Sequence, residues 1–456
     1  MTFNSYEFIF IFLPITITLF YLLSRTHTNL AALWLVSASL VFYGSINLYT
    51  LPLLVLSVCV NYCIGLMTSR ASAKKLWLYL GLALNFGLLM WCKVLGTLPL
   101  GISFYTFTQT AYMIDVFTRK SVASGFLDYV RHITFFGCIS SGPIARINDT
   151  SPSFMPDYDA IAKGLTLFMI GLFKKVCIAD GLAKTVNTLF SASGVLNFTE
   201  AWLAALGYTL QLYFDFSGYS DMAIATGLMF GMSLPQNFDS PYKSMSLIDF
   251  WRRWHMSLGA WVRDYVYIPL GGSREGELRR TRNVILAMLF TGLWHGWGWS
   301  FIVWGGLHGL LLAVNHWWRR HGIKLPAVIA WVLTFGSVVM LWVVFRAESL
   351  SDAGKILTAM MDVKNIVLPT KFSIYLRFLE KVGISFVPFT FYRATDFAWE
   401  CMHIFTLLAA VIVTPNSRRI IDNFRPNILW IAAAVSLAVI SFTQFSGISD
   451  FLYFQF

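Results

Sequence analysis

The stretch QLYFDFSGYSDMAIATGLMFGM (211–232), continued by LPQNFDSPYKSMSLIDFWRRWHMSLGAWVRDYVYIPLGG (234–272) and NVILAMLFTGLWHGWGWSFIVWGGLHG (283–309), decides how the rest of this chain is read. It gathers two carboxylates (Asp215, Asp221), a basic-aromatic cluster (Trp251, Arg252, Arg253, Trp254, His255) and two glycine-flanked histidines, His295 and His308. An ionisable side chain at membrane depth is costly unless it faces a protein interior or a water-filled cavity, so an intramembrane histidine is a candidate site residue by default. The block is expected to wall a catalytic funnel.

Composition sets the class around it. The chain is 57% hydrophobic and only 12% charged, with 40 Phe and 17 Trp, whereas charged residues make up roughly a quarter of a soluble domain. That profile is an all-α polytopic membrane protein. At 456 residues there is room for about ten to twelve membrane segments of about 20 apolar residues each, some re-entrant. We read one membrane-embedded domain, 1–456, with a core block at 205–312 and a tail at 446–456. The net charge of +11 is spread in short clusters between apolar runs, which is the pattern of cytoplasmic loops meeting anionic headgroups of membrane lipid and not of nucleic-acid binding. The six cysteines include no CxxC pair and read as small buried hydrophobes, Cys59 and Cys63 included, with no metal expected.

Outward from the block, the first run, MTFNSYEFIFIFLPITITLFYLL, has neither a basic start nor a small-residue cleavage site. It is expected to be a retained span and not a signal peptide. Further runs lie at 30–42, 51–67 and 76–91, and the SRASAKK between the last two places that loop in the cytoplasm and hence the N-terminus outside. LPLGISFYTFTQTAYMIDVFTRK carries too many polar residues to face lipid and should line the interior. VRHITFFGCISSGPIARI is broken by glycine and proline, so a re-entrant or kinked segment is expected, with His132 at an interface. Lys163, Lys174, Lys175 and Lys184 flank the next span, where snorkelling accounts for them.

Within the block, Asp215 and Tyr219 share one helical face and Ser217 and Asp221 another, so the two carboxylates point apart. Asp215 is expected to orient a histidine or to bond a neighbouring helix. The segment around Asn237 is loop, and 246–272 should lie flat at the interface or dip inward as amphipathic helices, with Trp251 to Trp254 read plainly as an aromatic belt with snorkelling arginines. GGSREGELRRTR reads as a hydrophilic cytoplasmic turn. His295, beside Trp294, and His308 are thirteen residues apart; they converge only if the glycines between them break the helix. Spans follow at 325–345, 397–413 and 428–442, with 376–391 undecided, and GISDFLYFQF is left on the outer side.

The order LQLYFDFSGYSDMAIATGLMFG, NFDSPYKSMSLIDFWRRWHMSLGAWVRDYVYIPLGG, LWHG and WGGLHG resembles the bacterial branch of the membrane-bound O-acyltransferase family, nearest to alginate-type polysaccharide O-acetyltransferase membrane subunits. FNSYEFIFIFLPI and GISFYTFTQTAYMIDVF carry the likeness to about the first three quarters of the chain. The resemblance implies a ring of membrane helices, with re-entrant and interfacial helices, around a thin core where funnels from both faces meet. It places the catalytic histidine of the WHG motif on His295 and the histidine of WRRWH on His255, with His308, Asp215, Arg252, Arg253, Trp294 and Asn237 in support. The implied chemistry moves an acetyl group from a cytoplasmic thioester, acetyl-CoA, to a hydroxyl presented from outside. A neutral imidazole has the basicity to take the hydroxyl proton as the bond forms, and His255 or the nearby Arg and Trp side chains would position the donor or stabilise the oxyanion.

The tail FLYFQF resembles the C-terminal motif of the small membrane protein that accompanies teichoic-acid D-alanylation, which implies that Tyr453 carries the acyl group as a phenolic ester. The expected setting is a bacterial inner membrane, with a periplasmic SGNH-type acetyltransferase and a polysaccharide synthase complex as partners and cellulose, an alginate-like polymer or peptidoglycan as acceptor. An interfacial aromatic anchor is the plain alternative for the tail. A lipid O-acyltransferase, a transporter and a non-catalytic scaffold subunit stay open as alternatives for the chain, although no internal repeat of the transporter kind is visible.

Overall fold

The computed structural model describes the whole chain except residues 122, 193, 275, 388–393, 446–450 and 453–456, and except the side chains of 382 and 394–396. Five helices are long and apolar enough to cross a membrane: Glu7–Ser24, Thr28–Ile46, Leu48–Arg70, Lys74–Leu95 and Ala327–Arg346. Shorter apolar helices cover Phe397–Val413 and Ile428–Thr443. The protein is an all-α, multi-pass membrane protein; among the described residues the only sheet is a pair of three-residue parallel strands, Val367–Pro369 with Ser385–Val387.

The first four of these helices are one-third to under one-half buried. Phe10, Leu33, Leu56 and Tyr79 on their outer faces stay exposed, as lipid-facing side chains do when the helix satisfies its own backbone. Their inner faces carry the exceptions. Asn85 bonds Asn61 across helices, and Asn61 and Ser57 both bond Gln109 at 2.8 and 3.1 Å, amide and hydroxyl contacts of the kind that hold membrane helices together. Gln109 lies on Ile102–Phe117, a helix with almost every residue buried, as its polar load predicts.

At the centre stands Phe198–Met229, 32 residues long. At 1.5 Å per residue it extends about 48 Å, well beyond a hydrocarbon layer of about 30 Å. Its start is fixed by a capping box in which Asn197 Oδ1 accepts from the Glu200 N–H and Glu200 returns the bond. Antiparallel to it runs Tyr158–Phe173, continued through a π-helical turn, Lys174–Ala179, into Asp180–Phe190. The wider turn aims Lys174 and Lys175 at the central helix. They meet Asp221 and Asp215 respectively, each at 2.7 Å. Snorkelling therefore fails for these two lysines, because carboxylates 40 and 47 residues away supply partners inside the protein.

Other expectations also change. After Phe126–Thr134 the chain from 135 to 143 is non-helical and buried, so the broken segment is there, but His132 is buried and bonds Thr150 Oγ1 at 2.8 Å instead of sitting at an interface. The 247–267 region does form short helices, Leu247–Arg253, Met256–Val262 and a π turn Arg263–Tyr267. Trp254, however, is 2% exposed; it is a core residue and not part of an aromatic belt. The RRTR of the expected turn forms the first turns of helix Glu277–His295.

Candidate functional site

The site is assembled by a helix break. Glu277–His295 ends at Gly296, whose backbone is extended, and Trp299–Arg320 begins three residues later. The two helices then pack back to back through glycine: a Cβ on Gly292 would lie 2.3 Å from the Phe301 carbonyl oxygen, and one on Gly305 2.4 Å from that of Met288. No other side chain permits that approach. The break meets the condition that His295 and His308 needed. Both rings pack edge-on against Trp304, at centroid distances of 5.3 and 4.8 Å.

His255 reaches the same region from another element. Its backbone is left-handed (φ 43°, ψ 55°) at the start of Met256–Val262, a conformation that few non-glycine residues adopt and that the surroundings must enforce. Asn237 enforces it. Its carbonyl accepts from the Met256 N–H at 2.9 Å, its Oδ1 accepts from Ser257 Oγ at 2.6 Å, and its Nδ2 donates to Ser220 on the central helix at 3.0 Å. The amide orientation being so fixed, the 3.3 Å contact between Asn237 Oδ1 and His255 Nδ1 puts the proton of a neutral ring on Nδ1 and the lone pair on Nε2. The His255 ring faces Trp294 at 6.0 Å, and Trp294 faces His295 at 4.7 Å. His308 is pinned in the opposite sense: Trp251 Nε1–H donates to its Nδ1 at 3.2 Å, which leaves the proton on Nε2.

His295 is 4% exposed and closely ringed by Trp294, Trp304 and Phe345. As the last residue of its helix it offers a backbone carbonyl with no partner inside the helix. Lys93 Nζ takes that carbonyl at 3.1 Å, a cation at the negative end of a helix. Lys93 is itself buried, and among the described residues no carboxylate pairs with it. Sequence reasoning passed it over; the signal was one lysine inside the apolar run LLMWCKVLG.

A cavity of about 190 Å³ has Asn237 of this assembly in its wall. Lys163, Lys174 and Arg418 line it together with Asp221, Ser220 and Asn237, the residue that holds His255. Asp221 is bonded there by Lys174 and by Ser417 Oγ at 2.6 Å.

The remaining expected residues divide. Trp294 stands between two of the histidines and donates to the Ser103 carbonyl at 3.4 Å. Asp215 orients no histidine but bonds a neighbouring helix through Lys175. Arg252 is exposed, and Arg253 is engaged by Asp249 at 2.9 Å and Asp239 at 3.8 Å. Neither arginine is brought to the histidines, because the short helix turns its basic face away from Trp254 and His255. Tyr453 lies outside the described residues.

Residues 26–350 match the model of the MBOAT, membrane-bound O-acyltransferase family. The chain is similar to a peptidoglycan O-acetyltransferase of Helicobacter pylori, 36% identical over 100% of this chain and 98% of that protein. It is also similar to a probable alginate O-acetylase of Pseudomonas fluorescens, 41% identical over 79% of this chain and 76% of the other. A teichoic acid D-alanyltransferase of Streptococcus thermophilus is 30% identical over 48% of this chain and 57% of its own length.

Proposed function

This chain belongs to the membrane-bound O-acyltransferase family, and from that premise we propose that it takes acetyl groups from acetyl-CoA at the cytoplasmic face and passes them outward for O-acetylation of an extracytoplasmic polysaccharide. Peptidoglycan and alginate-like polymers are the two acceptors that the relatives' names support. The observation that supports the reading is the cavity whose lysine and arginine lining suits a phosphorylated donor and whose wall includes Asn237, the residue hydrogen-bonded to His255.

The transfer breaks the thioester C–S bond and forms an ester C–O bond. His295 takes the hydroxyl proton as the new bond forms, and the proton then goes to the departing thiolate. His255, with its lone pair on Nε2, lies across Trp294 and positions the reacting groups. The first acceptor is the phenol of Tyr453. A phenol of pKa near 10 gives an activated ester, so onward transfer to a sugar hydroxyl runs downhill. The tail leaves the last span on the extracytoplasmic side, and a periplasmic SGNH-type acetyltransferase working beside the polymer synthase in the inner membrane collects the acetyl group there. Basic clusters such as SRASAKK and Arg418–Arg419 support this orientation, with both termini outside.

The test is polymer-bound acetate in cells carrying Tyr453→Phe and, separately, His295→Ala. Loss in both supports the relay; wild-type acetylation with Tyr453→Phe removes the tyrosine step. Purified protein given acetyl-CoA or palmitoyl-CoA distinguishes this reading from a lipid O-acyltransferase.

A further inference from the structure

The buried Lys175–Asp215 pair does more than join two helices. Lys175 Nζ is 2.7 Å from Asp215 Oδ1 and 2.8 Å from Asp180 Oδ1, and both side chains of the first pair are 2% exposed. Each member also touches the end of the chain. Asp215 Oδ2 accepts the backbone N–H of Leu452 at 3.1 Å, across 237 residues. Lys175 Nζ sits 4.6 Å from the ring centroid of Phe451. The same ring also meets Tyr219 at 4.4 Å in a perpendicular contact, and Tyr219 stacks on Phe3 at 5.0 Å. Phe451 is 1% exposed.

We propose that Lys175 and Asp215 are positioning residues that anchor the end of the chain beside the central helix, and that acetyl transfer depends on this anchorage. Its role in transfer rests on the proposed function above; the anchorage itself does not. A carboxylate engaged only by lysine could spread both oxygens over the ammonium group, but here one oxygen serves the lysine and the other a main-chain N–H. Charge assistance makes such a bond stronger than its neutral counterpart, the more so away from water. Because the donor is a backbone group, the site ignores the side chain at 452. The slot at 451 is selective, since a cation over the ring and a perpendicular tyrosine ring beside it suit an aromatic side chain. Asp215 and Tyr219, four apart on the central helix, thus present one grip on one face.

The experiment uses the full-length protein in lipid nanodiscs, where both faces meet the reagent. Leu452→Cys keeps the N–H and places a thiol at the anchored position. Its labelling by a charged maleimide is counted on the tryptic peptide 420–456, which contains no other cysteine. Phe451→Ala, which leaves the ion pair intact, is expected to raise the labelling rate about tenfold by letting the segment open. The double variant Lys175→Met/Asp215→Asn is expected to do the same, the paired replacement avoiding a lone buried charge, with folding checked by gel filtration. Polymer acetylation should fall in parallel in the same variants without the reporter cysteine. Unchanged labelling in both variants overturns the anchorage, and faster labelling with wild-type acetylation overturns its role in transfer. Should Phe451→Ala lose acetylation while Tyr453→Phe keeps it, the tyrosine relay fails and the anchor stands.

Discussion

His255 and His308 are each joined to His295 through one tryptophan, Trp294 and Trp304, yet their rings are pinned in opposite senses. Asn237 accepts from Nδ1 of the first, and Trp251 donates to Nδ1 of the second. Nε2 therefore carries the lone pair on His255 and the proton on His308. The difference arises one residue away from each ring, in whether the neighbour offers oxygen or N–H. The tautomers of these rings are set by those neighbours and not by the histidines themselves.

The comparison is broken most severely at its shared centre. His295→Ala should cut acetyl transfer by about 10²–10⁴-fold, the usual contribution of a positioned base, while leaving His255 and His308 with their own partners; single-turnover acetyl release from labelled acetyl-CoA measures it. Next comes Asn237→Ala, which removes the orienting group of His255, takes the Nδ2 donor from Ser220 and leaves the Ser257 hydroxyl proton without its acceptor. We expect about 1–3 kcal/mol of stability to be lost for a buried polar group left unpaired, read as a lower unfolding midpoint in detergent, together with a fall in turnover. Trp251→Phe removes one hydrogen bond to His308, with an expected cost of about 0.5–1.5 kcal/mol. In ¹⁵N spectra of histidine-labelled protein it should alter the His308 Nδ1 signal and leave that of His255 in place, and a change confined to His255 would reverse the tautomer assignment. Smallest is Arg252→Ala. The resemblance gave Arg252 a supporting role, but its exposure predicts a stability change within about 0.5 kcal/mol and unaltered transfer; a large loss of turnover would return it to the site.

Much of this was legible in the chain. A helix rich in Thr, Gln and Asp, Ile102–Phe117, had to be interior, and it is. Glycines around His295 had to break the helix if His308 was to join it, and the break falls at Gly296. What failed were readings that took a residue's neighbours in sequence for its neighbours in space. Lys174 and Lys175 looked like interfacial lysines, and Trp254 like part of a belt, because their burying partners lie on other elements: Trp254 meets Trp342 at 4.9 Å. His132 failed in the same way, its partner being Thr150. Lys93 went unread because its acceptor is a main-chain carbonyl 202 residues away, to which no side-chain pattern points.

By itself the sequence determined that this is a polytopic membrane protein with its polar residues concentrated in one block, since hydropathy and charge are properties of composition and short-range order. Only the tertiary structure decided which lysine meets which carboxylate, which histidine nitrogen is left as lone pair or N–H, and that the end of the chain returns to Asp215. Those outcomes depend on where hydrogen-bond partners stand when remote helices pack, and in a low-dielectric interior every such partner must be found within the protein.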